Sequence, residues 1–259
     1  MKIDLKDITF LILVRLDSIE RLENTIVVVN DLAKHFDTNI YVLEAANYNN
    51  GILKQALNKK IKYYFEQDKD PVLHKTLYYN RMVKESNTPF FSIWDTDTVV
   101  DKNVIVEVVE CLRNGKAEIA FPYDGVFMDT SDILREFYFK KRDVKVLYRH
   151  KNKMEHLYHQ HIVGGAVFLN KQKFFEIGMD NEKHYGWGND DFDRFYRAQN
   201  YGLKIYNTDN CLFHLSHPRG INSYFRSNVQ QNISTDELHK IENSSKEDII
   251  KDFKLINSE

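Results

Sequence analysis

The stretch FFSIWDTD, residues 90–97, decides the fold class of this protein. Residues 90–94 are mostly apolar and aromatic, which predicts a short buried strand. Asp95 and Asp97 follow this strand directly, on alternate positions. Two carboxylates at the carboxyl end of a parallel strand can both approach one hard cation, because such cations need oxygen ligands. The structural alternative is a solvated turn that caps the next helix, where aspartate is also common.

Strand and helix patterns alternate on both sides of this stretch. Apolar runs predict further strands at residues 8–14, 39–45, 62–66 and 118–122. Apolar residues at three- and four-residue steps predict helices between the strands, at residues 22–36, 72–86 and 104–112. This alternation predicts an α/β fold with a mostly parallel, Rossmann-like central sheet and helices on both faces. Such sheets bind ligands at the carboxyl ends of their strands.

The composition is that of a globular protein and excludes several other classes. The 259 residues are 42% hydrophobic and 29% charged, and 36 basic against 38 acidic side chains give a net charge of -2. This balance argues against nucleic acid as a partner, since phosphate binding requires a basic excess. Cys111 and Cys211 lie far apart and form no CxxC pair, which excludes a disulfide scaffold and a cysteine-only zinc site.

The apolar run near the N-terminus is too short to cross a bilayer, and no transmembrane segment is predicted. We therefore expect a cytoplasmic protein, with peripheral contact at the inner membrane face left open.

The pattern is less regular beyond residue 125. It predicts helix and loop at residues 129–151, a strand at 166–169 and helices at 171–177 and 190–200. From Arg219 onward the sequence is polar, with helical patterns at residues 236–242 and 246–255. We expect one domain over residues 1–218 and a C-terminal helical extension over residues 219–259.

A second motif is GWGNDDFDR, residues 186–194. Two glycines around Trp187 predict a loop that permits close approach, and the acidic cluster opens a helix whose dipole keeps carboxylates ionised. An ionised carboxylate beside an aromatic ring can act as a general base toward a sugar hydroxyl. The alternative is structural: Asp190 and Asp193 would pair with the arginines four positions further along, which leaves Asp191 without such a partner.

Two further features are weaker. The run CLFHLSHP, residues 211–218, resembles a strand that ends in two histidines, His214 and His217, one of which can lie beside a bound cation. The alternative to a metal-binding role is that these histidines are purely structural. Gly164 and Gly165 precede a predicted strand, and paired glycines indicate close backbone approach or a tight bend, of which ligand contact is only one cause.

Taken in this order, the motifs resemble those of a GT-A glycosyltransferase. The chain is similar over residues 8–218 to the inverting nucleotide-sugar transferases of the β1,4-galactosyltransferase and bacterial chondroitin-synthase type. The resemblance rests on the Asp-x-Asp pair, the Gly-Gly pair, the Gly-Trp-Gly loop with its acidic run, and the histidine at position 214.

The resemblance implies a divalent metal ion, Mn or Mg, at two of these motifs. Asp97 and His214 match the family's metal ligands, and Asp95 matches a contact to the nucleotide or the metal. Cys211 stands where the galactosyltransferases have a ligating methionine, three residues before the histidine. Cys211 is therefore a further candidate ligand, and so is His217, the second histidine of the run at residues 211–218.

The resemblance also implies the roles of the sugar-binding residues. Trp187 matches the residue that packs against both sugars, and Asp191 matches the general base. Asp190 would hold the acceptor hydroxyls, with Gly164 and Gly165 in the same sugar site. The chain departs from the family at position 189, where it has asparagine in place of glycine.

By this resemblance, four residues correspond to nucleotide-binding positions of the family: Arg15 after the first strand, Glu44 at the end of the second, and the pair Lys75 and Asn80. The alternative for each is an ordinary exposed or capping residue.

The implied activity is transfer of a sugar from a nucleoside diphosphate, UDP by resemblance, to a glycan hydroxyl with inversion at the anomeric carbon. Two other functions remain open from the sequence. A metal-dependent nucleotide-sugar hydrolase would use the same residues with water as acceptor. A non-catalytic nucleotide- or sugar-binding module would use the acidic run only to cap a helix.

Overall fold

The part of the chain that the structure describes contains two β-sheets, ten α-helices and two single-turn 3-10 helices. The computed structural model describes residues 1–256, with their side chains through residue 251. The strands, in chain order, are β1 (Ile3–Val14), β2 (Phe36–Ala46), β3 (Lys62–Gln67), β4 (Phe90–Trp94), β5 (Thr98–Val99), β6 (Ile119–Phe121), β7 (Phe127–Asp129), β8 (Glu155–His156), β9 (Ala166–Asn170), β10 (Ile205–Asn207) and β11 (Leu212–His214). The helices are α1 (Ile19–His35), α2 (Ile52–Ala56), α3 (Lys75–Glu85), α4 (Lys102–Arg113), α5 (Asp132–Lys141), α6 (Lys145–His150), α7 (Lys171–Glu176), α8 (Asp190–Tyr201), α9 (Asn228–Glu242) and α10 (Lys246–Ile256).

The main sheet has seven strands in the order β10-β6-β9-β4-β1-β2-β3. Neighbouring strands are parallel except at β9, which is antiparallel to both β4 and β6. The predicted α/β class with a mostly parallel sheet is thus confirmed. β1 and β4 lie side by side, so the residues that follow them emerge at one edge of the sheet.

The first two strands are longer than the apolar pattern predicts. β1 begins at Ile3 and pairs with the start of β2, with an irregularity in the register between Leu5 and Thr9. Phe36, predicted as the last residue of a helix, instead opens β2 with φ -118° and ψ 142°. Its ring stacks on that of Phe10 at 6.3 Å between centroids. A buried aromatic residue fits either period, and packing against β1 decides in favour of the strand.

The helix predicted from residue 72 begins at Lys75. The Asp70 carboxylate accepts a hydrogen bond from the backbone N–H of Val72 at 3.0 Å, which holds the preceding residues in a turn. α2 was not expected, because it has only five residues and one buried side chain, Leu53.

A second sheet was also not expected from the sequence. Its four strands, in the order β5-β11-β7-β8, have two or three residues each, too few to show a period. β11 is antiparallel to β5 and parallel to β7, so His214 is paired with Thr98 on one side and Asp129 on the other. This small sheet brings the residues after β4 next to the histidines.

The C-terminal segment packs on the rest of the molecule. α9 begins at Asn228, eight residues before the predicted pattern, and Ser227 caps it by accepting a hydrogen bond from the backbone of Gln230. The side chains of Ile241 and Ile249 are buried. Within the described residues, no helix is both long and apolar enough to cross a membrane.

Candidate functional site

A cavity of about 360 Å³ opens at the carboxyl ends of β1 and β4. Its walls come from the Asp-x-Asp turn, the loop before β9, the Gly-Trp-Gly loop and the segment from His214 to Phe225. This is the edge of the sheet at which α/β proteins bind ligands. The cavity therefore brings together the four motifs that the sequence analysis selected.

A candidate metal-ligand cluster lies at one side of this cavity. Asp97, His214 and His217 each offer one ligand atom, and these atoms lie within 4.8 Å of one another. Asp97 Oδ2 is 3.0 Å from His217 Nε2 and 3.8 Å from His214 Nε2. Burial would raise the pKa of the Asp97 carboxyl, but the two imidazoles lower it below its ordinary value.

Both imidazoles are held so that Nε2 faces Asp97. Nδ1 of His214 is 2.7 Å from a carboxylate oxygen of Asp129, and Nδ1 of His217 is 2.9 Å from the backbone oxygen of Pro218. Metal-binding histidines usually donate their other N–H to an acceptor of this kind. With one carboxylate and two imidazoles, the donor set fits a divalent first-row transition metal ion. Asp129 was missed because only tertiary contact brings it here.

Cys211, a candidate ligand from the resemblance, does not join this cluster. Its side chain is buried, and burial raises the pKa of the thiol even though the adjacent Lys151 opposes the shift. Cys211 directly precedes β11, three residues before His214, and is not among the side chains grouped with Asp97.

Asp95 lines the cavity outside the cluster. Its backbone N–H donates to the Gly165 carbonyl at 2.8 Å, which joins the Asp-x-Asp turn to the start of β9. Burial raises the pKa of the Asp95 carboxyl to about 7, against the effect of Lys75 and with a contribution from Asp97.

Two arginines of the cavity were missed by the sequence analysis. Arg21 Nη1 lies 3.9 Å from Asp97 Oδ2, and Arg219 Nη2 donates to the Tyr158 hydroxyl at 3.1 Å. Both side chains line the cavity. Arg21 lies in the first turn of the helix after β1, a place where α/β proteins collect ligand-binding groups, so its position was a usable signal.

The acidic start of α8 is paired only in part as the structural alternative expected: Arg197 donates to Asp193 at 2.6 Å, which confirms one pair, but the other pair is replaced. Arg194 donates twice to Asp180, at 2.7 and 2.9 Å, and once to Asp191 at 2.7 Å. Asp190, expected to pair with Arg194, instead has Lys75 Nζ at 3.0 Å from its carboxylate. The arginine is therefore shared between α8 and the loop before it, and Asp191 has a partner three positions away.

Asp191 and Asp190 have different access to the cavity. The Asp191 side chain is 23% exposed and lines the cavity, whereas Asp190 is 3% exposed and lies behind it. Burial would raise the pKa of the Asp191 carboxyl, but Lys75 and Arg194 lower it, so this carboxylate is ionised at neutral pH. Burial raises the pKa of Asp190 despite the nearby Lys75. A Cβ on Gly164 would lie 2.4 Å from the Asp191 carboxylate, so the backbone at Gly164 packs directly against it.

The Gly-Trp-Gly loop is bound to the segment that follows the histidines. The backbone N–H of Trp187 donates to the Tyr224 carbonyl at 3.3 Å, and the indole lies edge-on to the Phe225 ring with centroids 6.3 Å apart. Gly188 has φ +140°, and a Cβ there would lie 2.4 Å from that ring, so glycine is required. Trp187 stays 38% exposed in the cavity.

The four nucleotide-binding candidates are not brought together. Arg15 lines the cavity, but its guanidinium donates to backbone and carboxylate oxygens around Asp68. Lys75 also lines the cavity, where its Nζ lies 3.0 Å from the Asp190 carboxylate. Glu44 and Asn80 do not line it: Glu44 accepts from the Tyr63 hydroxyl at 2.7 Å, and Asn80 donates to the Asp180 carbonyl at 2.9 Å.

One family model matches part of the chain. Residues 143–219 match the family described as the N-terminal domain of galactosyltransferase. The match covers less than a third of the chain and includes the Gly-Trp-Gly loop, the acidic start of α8 and both histidines of the cluster. No curated protein matches the chain significantly.

The fold is similar to those of several solved glycosyltransferases. The catalytic domain of Drosophila β1,4-galactosyltransferase 7, in complex with xylobiose, has 14% identity and a TM-score of 0.52, with 93% of this chain and 82% of that chain covered. GalNAc-T7 with UDP, GalNAc and Mn²⁺ has 12% identity and a TM-score of 0.60, with 97% and 54% covered. The mannosyltransferase PcManGT from Pyrobaculum calidifontis, with GDP-Man and Mn²⁺, has 12% identity and a TM-score of 0.53, with 83% and 58% covered. The chain thus has the GT-A fold, and the resemblance stated from its motifs is confirmed.

Proposed function

We propose that this protein transfers a sugar from a nucleoside diphosphate to a hydroxyl of a glycan acceptor, with inversion and with a divalent metal ion as cofactor. One observation carries the proposal: a single cavity holds a metal-ligand cluster at Asp97 and an ionised carboxylate at Asp191. A metal ion at the cluster would bind the diphosphate of the sugar donor. The Asp191 carboxylate would accept the proton of the acceptor hydroxyl.

Asp97, His214 and His217 are the proposed metal ligands. A divalent cation bound there would neutralise the charge that develops on the diphosphate leaving group. Two of the three donors are imidazole nitrogens, which favours Mn over Mg, since Mg prefers oxygen ligands. Arg21 and Arg219 add fixed positive charge to the same cavity and are the proposed contacts to the donor phosphates.

Asp191 is the proposed general base. One of its oxygens accepts from Arg194, which fixes the carboxylate in one orientation, and the other faces Gly164. Lys75 and Arg194 keep the group ionised, so that it can accept the proton of the acceptor hydroxyl as that oxygen attacks the anomeric carbon. Attack opposite to the leaving diphosphate inverts the configuration at that carbon.

Trp187 is the proposed platform for the two sugars. Its indole is partly exposed in the cavity and held in place by Phe225, which suits stacking on the C–H faces of a sugar ring. The donor nucleotide is proposed to be UDP, on the resemblance to the β1,4-galactosyltransferase type and on the UDP bound to one similar structure. Arg15 remains a proposed nucleotide contact, because it lines the cavity at the end of β1.

The first experiment is calorimetry of UDP, GDP and the corresponding sugar nucleotides, each with Mn²⁺ and with EDTA. We expect a nucleotide to bind only with Mn²⁺, and Asp97→Ala and His217→Ala to weaken that binding at least about tenfold. Asp143→Ala, which removes an exposed carboxylate outside the cavity, is the matched control. Binding that is equally tight in EDTA would contradict the proposed metal site.

A second experiment separates transfer from the two other functions. Asp191→Asn should lower the transfer rate by about 10²- to 10⁴-fold and leave the donor affinity unchanged. A hydrolase would release free sugar without an acceptor as fast as with one. A binding module would turn over no sugar nucleotide with any acceptor, and that result would remove the enzymatic proposal.

A further inference from the structure

The surface formed by α5, α6 and the turn that follows carries a group of exposed cations. None of these has a carboxylate within 4.0 Å among the residues whose side chains the structure describes. They are Lys140, Lys141, Lys145, Arg149, Lys151 and Lys153, and we call them the basic face. The chain as a whole has a net charge of -2, so this surface is a local excess of positive charge.

Two large apolar side chains are exposed on α5 next to these cations. Ile133 is 80% exposed and Phe137 is 38% exposed, and their spacing of four residues puts them on one side of the helix. Lys141, one turn further on, has its Nζ 5.8 Å from the Phe137 ring centroid. The His150 ring at the end of α6 lies 6.2 Å from the same ring. The apolar pair and the basic face are therefore one continuous surface.

This surface adjoins the cavity without being part of it. At the start of α5, the Ser216 hydroxyl donates to Asp132 at 2.9 Å, one residue before His217. At the other end, Lys153 precedes Leu157 of the cavity wall by four residues, which span at most about 14 Å. A flat partner on the basic face would therefore lie beside the mouth of the cavity.

We propose that the basic face, with Ile133 and Phe137, docks this protein on a membrane surface that contains anionic lipid. Cations close to a bilayer are attracted by anionic headgroups, and exposed isoleucine and phenylalanine can enter the headgroup region between them. An acidic glycan would use the same cations but would gain little from an exposed isoleucine. Membrane docking does not depend on the proposed chemistry, although it would bring a membrane-linked acceptor to the cavity.

The test is sedimentation of the full chain with phosphatidylcholine vesicles, prepared with and without phosphatidylglycerol, at low and high salt. No nucleotide or metal is added, so the result is independent of the proposed activity. We expect binding only to the anionic vesicles, with strong weakening at high salt. The triple variant Lys140→Glu, Lys141→Glu, Lys145→Glu should bind at least about tenfold more weakly.

The matched control reverses the same number of exposed lysines elsewhere, in Lys54→Glu, Lys59→Glu, Lys60→Glu. Equal weakening by both triple variants would overturn the proposal, because attraction would then follow net charge alone. Phe137→Ser combined with Ile133→Ser should also weaken vesicle binding, and circular dichroism of this variant checks that the fold is retained, since Ile133 is 80% and Phe137 38% exposed. Absence of vesicle binding, or binding to an acidic polysaccharide in its place, would equally overturn the proposal.

Discussion

His214 is oriented by Asp129, a residue that has no place in any motif of the sequence. The carboxylate accepts the Nδ1 hydrogen at 2.7 Å and so leaves Nε2 free toward Asp97. An acceptor in this position also makes the imidazole a better ligand, because it stabilises positive charge on the ring.

Asp129→Asn should therefore weaken Mn²⁺ binding by about 10- to 100-fold without unfolding the protein, since the asparagine oxygen can still accept the hydrogen bond. Calorimetry with Mn²⁺ alone measures the effect. Asp143→Asn, at an exposed site, is the control. An unchanged affinity would mean that Asp129 does not influence the ligand.

Gly164 restricts Asp191 by steric contact. A methyl group at position 164 would lie 2.4 Å from the carboxylate, so Gly164→Ala must displace either the backbone or the proposed base. A displacement of about 1 Å in a reacting group can lower the rate by about 10²-fold. We expect a loss of this size in kcat, with donor affinity retained.

The control is Gly115→Ala, which lies outside the cavity lining: the added methyl would meet no atom within 4 Å, and the left-handed backbone at φ +69° makes the change mildly destabilising without touching the proposed base. Steady-state kinetics of the two variants gives the comparison. Wild-type kcat in Gly164→Ala would argue against Asp191 as the base.

At the scale of elements, buried side chains join α8 and α9 to the loop that precedes α8. His184 contacts Ser234 of α9 at 2.7 Å and Asp193 of α8 at 3.0 Å. The contacts run from serine to histidine to aspartate, as in the catalytic triad of a hydrolase. Each of the three residues, however, is at most 2% exposed. They are a structural connection, because no substrate can reach the serine.

The segment between His217 and α9 is fixed by an ion pair that should respond to pH. Arg226 Nη2 lies 2.6 Å from the Asp70 carboxylate, and this hydrogen bond lowers the pKa of Asp70 from 3.8 to about 2. The folded pKa lies below the ordinary value, so the pair stabilises the fold above about pH 4, and this contribution is lost as the pH falls toward 2.

Arg226→Gln should therefore destabilise the protein at neutral pH, with a difference from the wild type that shrinks below about pH 4. Urea unfolding of both proteins over a pH series measures this difference. Arg226→Lys keeps the positive charge, so we expect it to lower the free energy of unfolding less than Arg226→Gln does. A difference that does not change with pH would show that the ion pair contributes no stability.

At the scale of the whole molecule, the expected boundary at residue 218 can be tested by truncation. Residues 219–225 contribute to the cavity wall, and Ile241 and Ile249 are buried further along. Truncation removes these two isoleucines and uncovers the surface on which they pack, so it forfeits about 3 to 6 kcal/mol of apolar burial from them alone. We therefore expect a fragment of residues 1–218 to be much less stable and to bind no nucleotide.

Thermal unfolding and nucleotide calorimetry of that fragment measure both effects, with a fragment of residues 1–256 as the control. A stable 1–218 fragment that binds nucleotide would establish residues 1–218 as an independent domain.

The sequence by itself determines most of the strand–helix alternation of the main sheet and the place of the Asp-x-Asp pair. Both depend on residues that are close in the chain: the apolar run of β4 and the two aspartates that directly follow it. Parallel strands then put Asp97 at the ligand-binding edge without further information. The GT-A fold itself was predicted from the resemblance of the ordered motifs, because the strand pattern alone indicates only a mostly parallel α/β sheet.

Only the tertiary structure decides which partners Asp97 and Asp191 have. Asp129 is 85 residues from His214, and Arg21 is 196 residues from His217. The small sheet that brings Asp129 beside His214 has strands too short to show a sequence period. Arg194 binds Asp180 and Asp191 and not Asp190 because of how α8 packs on the loop before it. Such contacts follow from how distant elements pack, and no local periodicity encodes them.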